Sequence, residues 1–309
     1  MGKIKYFIKI LVSLTLLVVL FFHIDFNELN KAITTIRIST LMIAVIIYVF
    51  SIFLNAVKWH VILSDIDLRF LNYLTFRAQF YSTIFPGQLF GEFSKLTLWK
   101  NTGYTVSHIT ASVFFDKITG FIGQFILILI GLSLSKAGVS LDNKGIIIFL
   151  GLLFFVSIFV FSEKHVIELI DKMINWAERK TNKSLLYIKN FYSSWVLFSV
   201  NKIILLKSLI WGIVNQFMGI IMIWYVSNSL NLSVALIDYC WVIPLVSFIL
   251  IVPVSFAGLG LREASLVSLL SLFGVAPEKA IIISLTLLLG QIVAALIGGI
   301  MNSIYSLKA

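Results

Sequence analysis

Long apolar runs broken by short polar bridges set the pattern of this chain. Crossing a bilayer takes about 20 mostly apolar residues in a helix. The stretches 4–22, 41–57, 113–134, 146–161, 207–226 and 280–305 predict six such helices. Two more apolar stretches, 71–85 and 237–252, each run into a proline (Pro86, Pro253), with glycines following at Gly87 and Gly91, and at Gly258 and Gly260. Proline lacks a backbone donor and turns the residue before it away from helical geometry. The segments that follow, 91–99 and 261–273, are too short to span. Each pair predicts a broken helix or re-entrant hairpin, with an ordinary kinked helix as the alternative. Irregular backbone at membrane depth is tolerated only where protein buries it or where it lines a cavity. The expected fold class is an all-α polytopic membrane protein. It is a single integral membrane domain over 1–309, with about six spanning helices and two broken hairpins.

Composition excludes a soluble globular enzyme. Charged residues make up 12% of the chain and hydrophobic ones 60%, whereas an average soluble domain is about 25% charged. The net charge is +10, from 24 Lys and Arg against 14 Asp and Glu. These basic residues sit between apolar runs, which fits the positive-inside bias and anionic headgroups, and no motif supports nucleic acid. Lys3, Lys5 and Lys9 precede the first apolar run, and no small-residue cleavage site follows it. A retained first helix with a cytoplasmic N-terminus is expected. Alternation then places 25–37 outside and 58–69 inside, and leaves Lys95 and Lys100 on the inner side. It makes 162–207 a cytoplasmic segment between two halves, with eight basic residues against four acidic ones, a net of +4. The last helix returns the C-terminus to the cytoplasm, in a cell (plasma) membrane protein. One hairpin therefore enters from inside and the other from outside. That arrangement is what an inverted repeat gives, and its discontinuous segments mark a substrate site. The repeat is inferred from topology; no strong residue-level self-similarity supports it.

Within the cytoplasmic segment, Val166, Ile170, Met173 and Ala177 fall at helical spacing, as do Ile188, Tyr192 and Trp195. Both sets fit amphipathic helices on the inner leaflet, with Trp176 and Trp195 near the headgroups, or else a helical linker covering the bundle. In the last helix Gly290, Ala294 and Gly298 recur every fourth residue, a spacing that permits close helix packing, with a dimer face as the alternative. Cys240 is the only cysteine, so no internal disulfide forms.

Charged side chains inside a membrane cost several kcal/mol each, and three clusters stand out. In the first, 85–95, Glu92 and Lys95 share a helix face and pair. In the second, 112–121, Asp116 and Lys117 sit in an apolar helix. Adjacent positions point about 100° apart, so each must find a partner elsewhere. Asp116 with Lys95 and Lys117 with Glu92 are the pairings expected. In the third, 251–263, Gly258 and Gly260 free the backbone beside Arg262 and Glu263, and Arg262 suits a phosphate gripped in a bidentate way. A structural ion-pair network is the alternative for all three. His23, His60, His108 and His165 are dispersed, so no metal site is expected. No phosphate-binding G-x-x-x-x-G-K-[ST] loop is present, and no Ser/His/Asp arrangement follows from spacing. No cofactor is expected.

In this order the clusters resemble the flippase-like family related to the membrane region of lysylphosphatidylglycerol synthase. The family's Pro-Gly, then Gly-Asp and a following Arg, is matched by Pro86-Gly87, Gly91-Glu92 and Lys95. Its Asp-Arg pair is matched by Asp116-Lys117, and its late Gly-x-Gly-x-Arg-Glu by Gly258 to Glu263. Lys58-Trp59 stands at a basic-aromatic position of the family. Three departures keep charge and change shape: Glu92 for Asp, and Lys95 and Lys117 for Arg. Lysine lacks the planar fork that grips phosphate. The resemblance implies translocation or handling of membrane lipids with anionic, polyprenyl-phosphate or glycolipid headgroups. It gives no support for aminoacyl transfer, so the chain is not expected to be an enzyme. A membrane enzyme using Glu92 or Asp116 as base is one alternative. Another is a non-transporting partner of a lipid synthase or glycosyltransferase, and a homodimer is a further possibility.

Overall fold

In the computed structural model, residues 15, 25–85, 89–98, 102–135, 172–174, 176, 185–251 and 258–306 are described, and they hold no strand. The helices are α1 (Phe26–Thr35), α2 (Ile38–Ile62), α3 (Leu68–Ile84), α4 (Leu89–Lys95), α5 (Val106–Leu134), α6 (Leu186–Val200), α7 (Lys202–Ser229), α8 (Leu236–Ile249), α9 (Leu261–Leu270) and α10 (Pro277–Ser306). Four of them, α2, α5, α7 and α10, are long and apolar enough to cross a membrane. The expected spans at 4–22 and 146–161, and the breaks at Pro86, Gly87 and Pro253, lie outside the described residues.

The spanning helices are apolar on their outer faces as well as inside. On α2 the exposed positions Ile38, Met42, Ile46 and Phe50 recur every fourth residue, and Leu285, Leu289, Leu296 and Ile300, at spacings of four and seven, line one face of α10. A helix hydrophobic all round belongs in lipid or in a large core. With the bundle's interior already filled, lipid is the medium for these faces, and the protein is an integral membrane protein.

Within each expected pair the two helices pack on each other, α3 on α4 and α8 on α9. A side chain on Gly91 of α4 would overlap the Ala78 carbonyl of α3, and Arg77 donates to the carbonyl of Ser94. In the second pair the Trp241 and Phe273 rings lie 5.9 Å apart across the break. Gly258 and Gly260 both take φ of +80°, a conformation that costs other residues energy and that glycine adopts freely. Gly260 starts α9, and its N–H is held by Glu263 Oε2 at 2.6 Å.

Helix pairing follows an exchange of α2 with α7, α3 with α8, α4 with α9 and α5 with α10. Helix α5 packs on α8 as α10 packs on α3, and α5 packs on α7 as α10 packs on α2, while α2 packs on α7 directly. Close glycine approaches repeat the exchange. Gly131 of α5 abuts Trp241 of α8, and Gly298 of α10 abuts Phe76 of α3. Gly123 of α5 abuts Ile213 of α7, and Gly290 of α10 abuts Tyr48 of α2. Helices α2 and α7 run antiparallel. Ala44, Ile47 and Tyr48 at one end share a core with Ile220, Ile223 and Val226. Trp59 at the other end shares a core touched by Ile204 and Leu205.

Several expectations are corrected. The 25–37 stretch is a helix for most of its length, capped by Asp25, whose side chain accepts from Asn27 N and Glu28 N. Lys58 is not in a loop: α2 continues to Ile62 and buries it. Trp195 is buried beside Phe115, with rings 5.5 Å apart, so α6 covers α5 instead of lying on a leaflet through that residue. Trp176 is exposed, while Val166, Ile170 and Ala177 lie outside the described residues. The stripe of Gly290, Ala294 and Gly298 is covered by α2 and α3 of the same chain, which leaves it no room to be a dimer face.

Candidate functional site

Five ionisable side chains meet where α2, α4 and α5 converge. Helix α5 carries Asp116 and Lys117 on neighbouring positions, and the helical rotation sends them to different partners. Lys117 Nζ lies 2.7 Å from Glu92 Oε1, the pairing expected. Asp116 does not pair with Lys95. Its Oδ1 lies 3.2 Å from Lys58 Nζ, and Lys58 also donates to the Asp116 carbonyl. The extension of α2 past residue 57 is the reason, since it places a lysine closer than Lys95. Gly120 gives Lys58 its space: a side chain there would sit 3.1 Å from Nζ. Lys95 stays on its own helix, 3.1 Å from Glu92 Oε2. Its ammonium lies 4.9 Å from the centroid of the Trp59 ring, and Trp59 Nε1 donates to Ser112 Oγ at 3.2 Å.

Lys58 and Asp116 are both almost fully buried, with side chains 4% and 3% exposed. Among the described residues three lysines face two carboxylates in this centre, a net of +1. Two acceptor atoms, Glu92 Oε2 and Asp116 Oδ1, are buried without an aligned hydrogen-bond donor despite the nearby ammonium groups. The centre therefore has surplus positive charge and unsaturated polar atoms.

The third expected cluster forms a separate, neutral centre. Arg262 Nη2 lies 3.3 Å from Glu263 Oε1. Its Nε donates to Ser284 Oγ at 2.9 Å and its Nη1 to Gln291 Oε1 at 3.0 Å. Ser284 in turn donates to Glu263 Oε1 at 2.5 Å. Here Arg262 is 2% exposed, and its fork is already engaged by neighbours, so it presents no open face to a phosphate. Tyr48 packs beside this centre, where a side chain on Gly290, next to Gln291, would sit 2.7 Å from its ring. Tyr48 and Lys58 are both on α2, ten residues apart, a rise of about 15 Å.

The two centres are related in sequence. Phe85-x-Gly87-x4-Glu92-x-Ser94 recurs as Phe256-x-Gly258-x4-Glu263-x-Ser265. Thr119-x3-Gly123-Gln124-x6-Gly131 recurs as Thr286-x3-Gly290-Gln291-x6-Gly298. In each half the motif glutamate contacts the residue two places before that threonine: Lys117 for Glu92, and Ser284 for Glu263. Self-similarity at the residue level is therefore present after all.

The model of the lysylphosphatidylglycerol synthase TM region matches residues 6–299 of this chain. The chain belongs to that family. No curated protein and no solved structure matches it. Within this lysylphosphatidylglycerol synthase TM region, the structure brings together Glu92, Lys95, Asp116 and Lys117, and sets Arg262 and Glu263 apart with Gly258 and Gly260 beside them. Pro86, Gly87 and Pro253 lie outside the described residues. Sequence reasoning left Lys58 out of the site, as it did Tyr48, Ser284 and Gln291. The signal for Lys58 was its adjacency to Trp59 at the end of an apolar run. For Ser284 and Gln291 it was the repeated Thr-x3-Gly-Gln motif. Among the described residues no group of His, Cys, Asp and Glu could hold a metal ion.

Proposed function

We propose that this membrane protein moves a lipid with an anionic, phosphate-bearing headgroup between leaflets, using the five-residue centre as the place where the headgroup crosses. The surplus positive charge of Lys58, Lys95 and Lys117 over Glu92 and Asp116 carries this reading. A charge buried in the bilayer is costly unless paired, so a centre left at net +1 attracts an anion and lowers the barrier to bringing one in. Acyl chains remain in the bilayer outside α2 and α10, whose outer faces are apolar. No covalent bond changes on this reading, and the chain is not an enzyme.

Two inverted halves would supply the path. A two-fold that exchanges the antiparallel helices α2 and α7 lies perpendicular to them, and so turns one half upside down relative to the other. The α3/α4 and α8/α9 pairs are then re-entrant hairpins entering from opposite faces, with the N- and C-termini in the cytoplasm of a cell carrying the protein in its plasma membrane. The neutral Arg262–Glu263 centre is the counterpart of the charged one, and takes the headgroup when its internal pairs exchange for phosphate.

Reconstitution tests this. Vesicles holding the protein and phosphatidylglycerol should expose inner-leaflet headgroups to a membrane-impermeant reagent at least tenfold faster than protein-free vesicles. Lys117→Ala and Arg262→Ala should bring the rate back toward that of lipid alone. Equal rates with and without wild-type protein would refute translocation.

A further inference from the structure

Arg77 lies on α3, on the far side of α4 from the five-residue centre, because Ser94 and Thr97 occupy a different face from Glu92 and Lys95. Among the described residues its contacts are all with neutral groups. Nη2 donates to the Ser94 carbonyl and to Thr97 Oγ1, Nη1 donates to the Tyr73 hydroxyl at 3.4 Å, and the guanidinium carbon stands 5.3 Å from the centroid of the Tyr73 ring. Nε is buried with no partner. Among the described residues no carboxylate lies within ion-pair distance of Arg77, whereas Lys58, Lys95, Lys117 and Arg262 each face one.

This unneutralised guanidinium lines a pocket of about 230 Å³ with Tyr81, Phe85, Ser94 and Thr97. The pocket is graded. Arg77, Ser94 and Thr97 form its polar part, and the stacked rings of Tyr81 and Phe85, 6.0 Å apart, form its apolar wall. Phe85 and Thr97 are exposed, so the pocket opens on the outside of the bundle, beside the exposed Ile84 and Phe93. An arginine has five N–H donors in a fixed fork. Its contacts to the tyrosine, serine and threonine use three, and the Nε hydrogen is left without an acceptor. A cation without a counter-charge is costly where protein and lipid exclude water. A phosphate removes that cost and makes charge-assisted hydrogen bonds of the strong kind.

We propose that the Arg77 pocket is an anion subsite separate from the translocation centre, filled by a phosphate group. An anionic phospholipid would bring its acyl chains against Tyr81 and Phe85, while free phosphate would use the polar part alone. The subsite stands on its own geometry, and a protein that moves no lipid can still bind here.

Purified protein in nanodiscs, examined by native mass spectrometry after release into detergent, tests it. Wild type from phosphatidylglycerol nanodiscs should retain one lipid more tightly than wild type from phosphatidylcholine nanodiscs, and Arg77→Gln should lose that retention at least tenfold. A second arm titrates inorganic phosphate into protein from phosphatidylcholine nanodiscs. Arg77-dependent retention of phosphatidylglycerol assigns the subsite to a lipid headgroup, and Arg77-dependent uptake of phosphate alone assigns it to the free anion. If Arg77→Gln does not fold, Arg77→Lys keeps the charge without the fork and should weaken retention several-fold. Binding of both probes unaffected by either substitution, or no binding of either, overturns the subsite.

Discussion

The buried pair of Lys58 and Asp116 shows how one side chain decides the local chemistry. Removing one partner strands a charge, at a cost of about 3–5 kcal/mol, whereas replacing both with apolar groups of similar volume is close to neutral. Asp116→Leu and Lys58→Met should each lower the thermal unfolding midpoint in detergent, and the double variant should recover most of the loss. Equal midpoints for all four proteins would mean that the pair is not formed. Outside the membrane helices, the Tyr104 hydroxyl donates to Asp65 Oδ2, and this bond, chiefly, pushes the phenol up to about 12 from an ordinary 10.0. A raised phenol keeps its proton longer in the folded state. Its contribution is therefore complete below pH 10 and lost as pH rises toward 12. Phenolate absorbance should show Tyr104 titrating later than in Asp65→Asn, with Tyr104→Phe identifying the signal. The divergence of Asp116 and Lys117 was legible from sequence because it follows from helical rotation alone. The partner of Asp116 was not, because reading α2 as ending at the first charge hides a lysine that the fold buries.

At the scale of elements, apolar length gave the middles of α2, α5, α7 and α10, while their more polar ends, seven residues on α5 and five on α2 and α7, went unread. The short amphipathic α1 escaped, because its ten residues lack the long apolar run that marked the others. The repeat escaped for a different reason. The hairpin motif recurs at an offset of 171 residues and the Thr-x3-Gly-Gln motif at 167, so no single shift aligns both. Packing between halves rests on close approaches. A side chain on Gly298 would overlap the Phe76 carbonyl, while one on Gly219 would meet nothing within 4 Å. Gly298→Ala should therefore destabilise by about 1–3 kcal/mol through overpacking. Gly219→Ala should stabilise by up to about 1 kcal/mol through helix propensity. Thermal unfolding of the two variants side by side separates these; a mild effect at Gly298 would mean that α3 and α10 are not in contact there.

For the molecule as a whole, exchanged helix contacts and echoed motifs describe two halves, with the charged centre at Lys58 and its neutral counterpart beside Tyr48 at two levels along α2. Family membership ties this architecture to the lysylphosphatidylglycerol synthase membrane region, and the charge surplus suggests what it handles. Stability and transport can be separated with Lys95→Gln, which leaves Lys58 paired to Asp116 and Lys117 paired to Glu92 and so should stay folded while losing the surplus charge on the headgroup's route. In phosphatidylglycerol vesicles, wild type should bring inner-leaflet headgroups to an external impermeant reagent at least tenfold faster than the folded Lys95→Gln protein. Transport by that variant at the wild-type rate would contradict a crossing through the charged centre.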